Sequence, residues 1–236
     1  AFYGARISAV SFGNGLQYIE NNAFAYCVNL GSGGGTLTLP ATLQAIGVGA
    51  FYNTAYSSVY IPAEVSDIGE YAFGVCENLT EIRVASGNPY YKDTNGVLYT
   101  KNGETLLQYP SHSANTEISV PAGVKVISRY AFAGNTAITS VVLPSTLTAI
   151  EEYAFAGSAE KPMGLTSVIF QGVNSDLATI DRYAFAFCVN LTSVTLPRNL
   201  VEIREGAFSG SKEAPMGLQA VVFAEGSRLS VIGDRA

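Results

Sequence analysis

Apolar positions in this chain recur in a long register. Ile19, Ile46, Ile68, Ile127, Ile150, Ile180 and Ile203 are each followed, five positions later, by the Phe of an Ala-Phe pair: Phe24, Phe51, Phe73, Phe132, Phe155, Phe185 and Phe208. A further copy starts at Ile232 and reaches Ala236. Self-similarity at a short spacing marks a stack of like units, each too small to bury its apolar face alone. The pattern predicts one solenoid domain over 1–236, of about eight to nine turns.

Within a copy the period shortens to two. Between Ala184 and Phe208, Leu191, Val194 and Leu196 alternate with the polar Thr195, the pattern of a short strand with one buried face. Equivalent segments predict strands at Val10–Phe12, Leu37–Leu39, Val59–Ile61, Ile82–Val84, Ile118–Val120, Val141–Leu143, Val168–Phe170 and Val221–Phe223. One per turn and alike in direction, they should stack into one parallel sheet. Pro40, Pro62, Pro121, Pro144 and Pro197 close five of them, since Pro has no N–H for the ladder. A second apolar pair follows, such as Leu147 and Ile150. The Ala-Phe segment then closes the turn as a short helical or irregular arc, with the Phe column at the centre of the core. The expected class is therefore α/β: a right-handed solenoid with one parallel sheet and a short-helical or irregular opposite face.

Successive Ile positions are 27, 22, 59, 23, 30, 23 and 29 residues apart, so the basic turn is 22 or 23 residues and longer turns carry insertions. Two insertions are near copies, Lys161–Leu165 and Ala214–Leu218; both precede a strand and should project as loops from one edge. The longest step contains residues 87–110, where Lys101-Asn102-Gly103-Glu104 separates two apolar runs. Asn-Gly between such runs predicts a β-hairpin inserted in the solenoid.

These residues together resemble the BspA-like, or treponemal-type, leucine-rich repeats. The resemblance rests on strand-Pro-x-x-Leu-x-x-Ile, Tyr-Ala-Phe and x-x-Cys-x-Asn-Leu, as in Leu196 through Phe208 and Phe185 through Leu191. The segment from Asn95 to Pro110 resembles that family's occasional insert. Departures are the Gly31–Gly35 run, and Phe170 and Phe223 where Leu-Pro is expected. The resemblance implies a secreted or cell-surface protein of commensal or pathogenic microbes that binds host proteins or other cells.

Charge narrows the partners. The chain is 48% hydrophobic and 14% charged, with a net charge of −6 and no basic run. Nucleic acid and anionic membrane both require clustered Lys and Arg, so neither is expected. The uncharged stretches 21–63 and 130–150 are broken by Asn, Gly, Ser, Thr and Pro, and neither supplies the ~20 apolar residues of a spanning helix. The chain starts Ala1-Phe2-Tyr3 without a leader and ends inside a copy, the expectation for a piece of a longer protein.

Candidate chemistry is sparse. Cys27, Cys76 and Cys188 each lie three residues after a motif Phe. Cys27 and Cys76 fall two turns apart, ~10 Å along the stack and beyond disulfide reach; buried thiols are expected. His112, the only histidine, has no recognisable nucleophile or carboxylate partner. Asn78-Leu79-Thr80 and Asn190-Leu191-Thr192 match a glycosylation acceptor, but the repeat itself wants Asn-Leu there. Glu151 and Glu152 read as solvated convex-face charges rather than a glycosidase pair. Tyr71, Tyr130, Tyr153 and Tyr183 form a half-buried column. With no phosphate loop, ligand cluster or nucleophile elbow, no enzyme activity, metal or cofactor is expected.

The exposed face of the sheet remains. Alternation should expose Ser11, Thr38, Tyr60, Arg83, Ser119, Val142, Ile169, Thr195 and Val222. Apolar side chains grouped on a Ser/Thr face often mark an interaction site. The expected contacts are therefore Tyr60, Arg83, Val142, Ile169 and Val222, with the inserted hairpin as a further candidate. The reading is a non-enzymatic protein-binding or adhesion module, secreted or on the cell surface. A glycan-binding module using exposed Tyr residues and a structural spacer stand as alternatives.

Overall fold

Alternating Val/Leu and Thr positions become the longer strands, and the Ile positions become a second set of strands only two residues long. A computed structural model describes all 236 residues, which divide into two units, Ala1–Ser113 and Ala114–Ala236.

The first unit contains β1 (Tyr18–Ile19), β2 (Thr36–Thr38), β3 (Ala45–Ile46), β4 (Ser58–Ile61), β5 (Asp67–Ile68), β6 (Glu81–Val84), β7 (Tyr91–Thr94), β8 (Val97–Thr100) and β9 (Thr105–Gln108). β2, β4 and β6 form one parallel sheet, and β1, β3 and β5 another. Register matches the repeat: Ile19 faces Ile46, which faces Ile68, and Leu37 faces Val59, which faces Ile82.

The second unit contains β10 (Glu117–Ser119), β11 (Val126–Ile127), β12 (Ser140–Leu143), β13 (Ala149–Ile150), β14 (Ser167–Phe170), β15 (Thr179–Ile180), β16 (Ser193–Leu196), β17 (Glu202–Ile203), β18 (Ala220–Phe223) and β19 (Val231–Ile232). Its longer strands make two parallel sheets, β10-β12-β14 and β16-β18, and its short ones the parallel series β11-β13-β15-β17-β19. Each unit is thus a β-solenoid with two stacked faces, where the pattern predicted one sheet.

Neither unit contains a helix, so the expected α/β class and short-helical face are corrected to irregular arcs. The hydrogen bonds give the reason. Along the arc, successive N–H groups alternate between a turn bond to residue i−3 and a lateral bond to the next turn. Ala131 and Ala133 bond to Ser128 and Tyr130, whereas Phe132 and Gly134 bond to Ala154 and Ala156. Half of the donors that a helix would use internally are spent between turns, so a helix cannot propagate. The motif Phe makes this lateral bond repeatedly: Phe24 to Ala50, Phe51 to Ala72, Phe155 to Ala184 and Phe185 to Ala207, each at 2.7–2.8 Å.

The arc requires left-handed backbone at a fixed place. The residue before each Ala-Phe has positive φ: Asn22, Gly49, Tyr71, Tyr130, Tyr153, Tyr183 and Gly206. A second such position follows the Phe by two, at Tyr26, Asn53, Val75, Gly134 and Phe187. Asn and Gly suit this region, but a β-branched residue is strained there. Val75→Gly should therefore raise stability, by about 1 kcal/mol, although glycine also loosens the unfolded chain. A higher denaturant midpoint at unchanged slope is the expected readout; a lower midpoint would mean that Val75 packing outweighs its strain.

The core is the Phe column. In the first unit Phe2, Phe24, Phe51 and Phe73 stack in succession at 5.2, 5.3 and 5.9 Å with interplanar angles of 12°, 5° and 9°. In the second, Phe132, Phe155, Phe185 and Phe208 stack at 4.6, 5.0 and 5.2 Å. Phe2 belongs to one more copy, Ala1-Phe2. The Ile-to-Phe spacing misses it because the partner position would precede residue 1.

One predicted strand is absent, and two lie one residue earlier than expected. Residues Val10–Phe12 form none: only a Gly31 N–H to Ser8 C=O bond, at 3.1 Å, links them to the Gly31–Gly35 lead-in, and β2 pairs on its other side alone. The strands expected at Leu37–Leu39 and Ile118–Val120 are Thr36–Thr38 and Glu117–Ser119. The hairpin expected across Lys101–Glu104 forms as β8 and β9, and β7 extends it to a three-stranded antiparallel meander, β7-β8-β9. Its first turn is Asn95-Gly96, both at positive φ, the two-residue geometry that joins antiparallel strands. The meander is anchored by fully buried Asn88. Its amide donates to Pro62 and Val65 C=O at 2.9 and 2.8 Å, and its side-chain oxygen accepts from Tyr90 and Tyr91 N–H at 2.8 Å. The meander also covers the β6 edge: Ile82 N–H bonds Gly96 C=O, and Val84 N–H bonds Asp93 Oδ1, both at 2.8 Å. An edge strand is thereby closed to unwanted pairing.

Candidate functional site

Strand pleating decides which side chains leave the core. In the first unit Thr38, Tyr60 and Arg83 are register partners across β2, β4 and β6 on the solvent face. Tyr60 is 46% exposed. Arg83 is exposed but engaged: its guanidinium pairs with Glu81 at 2.8 Å and with Asp93 of the meander at 3.4 Å. Those acceptors hold the guanidinium pKa above its ordinary value, chiefly through the hydrogen bond to Glu81.

In the second unit Ser119, Val142 and Ile169 are partners across β10, β12 and β14. Thr195 and Val222 are partners across β16 and β18. Ile169 is 49% and Val222 51% exposed, whereas Val142 is half-buried rather than open. β18 differs from the other long strands in having all four residues exposed, including Val221 and Phe223.

The other candidates fall into structural roles. All three thiols are buried and unpaired. Each donates its S–H to the carbonyl of a motif Phe: Cys27 to Phe2 at 2.9 Å, Cys76 to Phe51 at 3.2 Å and Cys188 to Phe155 at 3.4 Å. Burial pushes the Cys76 and Cys188 pKa values up, keeping the unreactive thiol form. A native-state thiol assay should label these two at least tenfold more slowly than in denaturant; labelling at the denatured rate would mean that the turns open freely.

His112 is an exposed loop residue. Asn78 donates to Ala55 C=O at 3.3 Å, and Asn190 is exposed. Glu151 and Glu152 are half-buried rather than solvated. Glu151 accepts from Ser128 Oγ and Arg129 N–H at 3.2 and 3.0 Å, and Glu152 pairs with the Arg129 guanidinium. A carboxylate held this way is part of the turn-to-turn bonding, so the convex-charge reading is corrected. Tyr130, Tyr153 and Tyr183 stack at 4.9 and 5.1 Å. The Tyr183 hydroxyl donates to Glu205 at 2.9 Å, and that hydrogen bond is the main cause of its raised pKa. The insertion Lys161–Leu165 does not simply project, because Met163 and Leu165 are fully buried.

Sequence reasoning did not foresee two clefts. One, of about 650 Å³, lies in the first unit between residues 8–12 and β2, where the predicted strand is missing. The other, of about 370 Å³, lies in the second unit between β14 and β16. Phe170 and Gly31–Gly35, the departures from the repeat, were the available signals for both.

Stacked turns with parallel strands on one face and bonded arcs on the other define a leucine-rich-repeat solenoid. The BspA type Leucine rich repeat region matches in six copies over residues 1–95 and 109–222, and the chain belongs to that family. Among solved structures, the chain resembles a leucine rich cell surface protein from Faecalibacterium prausnitzii, at 24% identity and a TM-score of 0.71. The match covers 96% of this chain and 64% of that one, so this chain spans somewhat less than two thirds of its neighbour. A leucine-rich repeat protein from Eubacterium ventriosum matches at 23% identity and a TM-score of 0.52, covering 96% and 84%. The pneumococcal vaccine antigen PcpA matches at 19% and 0.58, covering 92% and 71%. No curated protein matches the chain. No helix is long and apolar enough to cross a membrane.

Proposed function

We propose that the chain is a non-enzymatic, protein-binding module of a secreted or cell-surface microbial protein, with 1–236 acting as one repeat domain. The observation that carries this reading is the solvent face of the longer strands, where Ile169 and Val222 stand about half exposed among Ser and Thr. Exposed β-branched and aromatic side chains on a rigid sheet can be desolvated by a partner at little conformational cost. Tyr60 offers an equivalent anchor in the first unit, beside an Arg83 already neutralised by Glu81 and Asp93. The descriptions of two structural neighbours, a cell surface protein and a vaccine antigen, support a surface location. The partner class proposed is a host extracellular or other cell-surface protein.

The test is capture of surface proteins on the immobilised chain, followed by affinity measurement on an identified partner. The Val142→Asp, Ile169→Asp double variant should weaken that partner at least tenfold while keeping the parent's circular dichroism. Unchanged affinity in a folded variant would remove the second unit's sheet face from the proposal.

A further inference from the structure

Asn-Gly pairs occur three times in the chain, at Asn14-Gly15, Asn95-Gly96 and Asn102-Gly103. Such a pair carries its own reagents. The main-chain nitrogen of the Gly can bond to the Asn side-chain carbonyl carbon, because glycine has no side chain to crowd the approach and leaves the backbone free to turn. The bond from that carbon to the side-chain nitrogen breaks, and ammonia leaves with the proton that the Gly nitrogen gives up. Water then opens the succinimide ring to Asp or isoaspartate. A folded chain allows this only where the Gly nitrogen is free of hydrogen bonds and the peptide between the two residues can rotate.

Two of the pairs are held. Asn102 Oδ1 accepts from Thr100 Oγ1 at 2.7 Å and from Glu104 N–H at 3.1 Å, and its amide donates to Glu104 Oε2 at 3.1 Å. The Gly103 nitrogen is engaged as well, donating to Thr100 C=O at 2.8 Å. Asn95 is exposed, but it and Gly96 form the β7–β8 turn with φ of 51° and 79°. Gly96 is buried: its C=O accepts from Ile82 N–H at 2.8 Å, and a Cβ on it would lie 2.9 Å from Glu81 Cβ. Swinging the Gly96 nitrogen onto the Asn95 side chain would change the torsions on either side of that peptide. It would carry Gly96 C=O away from Ile82 and undo the turn.

Asn14-Gly15 meets both conditions. Gly13, Asn14 and Gly15 are all exposed, and a Cβ on either glycine would meet nothing within 4 Å. Neither the Asn14 side chain nor the Gly15 N–H makes a hydrogen bond. The turn is closed by Leu16 N–H to Gly13 C=O at 3.2 Å, a bond that uses neither group. We propose that Asn14 is a site of spontaneous deamidation in the folded protein, reacting ahead of Asn95 and Asn102. Asn14 also lines the first-unit cleft, none of whose lining residues is charged. Its conversion places a carboxylate at that cleft, and the isoaspartate form adds a methylene to the backbone of the turn.

The test is incubation of the intact chain in warm, mildly alkaline buffer, followed by digestion and mass spectrometry of the peptides that carry each Asn-Gly pair. Enzymatic methylation of isoaspartate gives a second readout. Conversion at Asn14 should run roughly tenfold or more faster than at Asn95 or Asn102, which must first break hydrogen bonds or a turn. In guanidinium the three rates should converge, because unfolding removes what holds the other two. Gly15→Ala should slow conversion of Asn14 roughly tenfold, since its methyl crowds the attacking nitrogen. The Cβ site of Gly15 is open and its φ is not positive, so that variant should keep the parent's circular dichroism. Conversion of Asn95 or Asn102 as fast as Asn14 in the folded chain would overturn the proposal. So would an unreacted Asn14 over the time in which the denatured chain converts, a rate unchanged in Gly15→Ala, or a native ordering that persists in guanidinium.

Discussion

Phe155→Ala is expected to be the most damaging side-chain truncation in the second unit, lowering stability by about 3–5 kcal/mol. Phe155 is fully buried and stacks on both sides, against Phe132 at 4.6 Å and Phe185 at 5.0 Å with near-parallel rings. Truncation removes the transfer free energy of the ring, leaves a cavity between rigid turns and breaks two aromatic contacts at once. The cavity cannot collapse easily, because Phe155 N–H and Gly157 N–H tie the backbone to Ala184 and Ala186 at 2.8 and 3.0 Å. Phe208→Ala provides the comparison, since Phe208 is 8% exposed and stacks on Phe185. In chemical denaturation followed by circular dichroism, the midpoint should fall clearly further for Phe155 than for Phe208. Equal shifts would mean that the column does not transmit packing from turn to turn, as the nearest-neighbour picture of solenoids requires.

The second large effect is expected at a glycine. A Cβ on Gly69 would lie 2.3 Å from Val48 N and 2.6 Å from Gly47 C, and one on Gly47 would lie 2.4 Å from Asn21 N. These are main-chain contacts between successive turns, with no side-chain end able to swing aside. Gly69→Ala must push two turns apart just where Gly69 N–H bonds Ile46 C=O at 2.7 Å. The expected loss is about 1–3 kcal/mol or more, the scale of overpacking a rigid core. Gly33→Ala is the control: nothing lies near its Cβ and its φ is not positive, so it should be nearly neutral or slightly stabilising. If Gly69→Ala were as mild as Gly33→Ala, the close approach of these turns would be wrong.

Much of this was legible because a repeat states its register many times over. The Ile and Phe columns, the strand positions Val59, Ile82, Val141 and Val194, and the buried cysteines all followed from spacing. The sheet-face candidates were equally readable, since pleating alone sends Tyr60, Ile169 and Val222 outward. Val142 was placed on the right face but its cover was not foreseen, because burial there depends on neighbouring strands. The helical expectation for the arc failed for a similar reason. Tyr-Ala-Phe-Ala carries no local signal that half of its N–H groups will bond to another turn. The meander's first strand, Tyr91-Lys92-Asp93-Thr94, lacks apolar alternation and is held by pairing with Val97–Thr100. Arg83 looked like a free contact residue until the meander brought Asp93 beside it.

The sequence by itself therefore determined the repeat, the core columns, the direction of the strands and which of their side chains face solvent. These depend on local period and on apolar residues needing burial, and both are written in every copy. Only the tertiary structure decided that the arcs are bonded laterally rather than helically, that each unit has two sheet faces, and where the ladder stops. Those outcomes turn on how closely main-chain groups of different turns approach, as at Gly47 and Gly69. No residue pattern within a single turn encodes such distances.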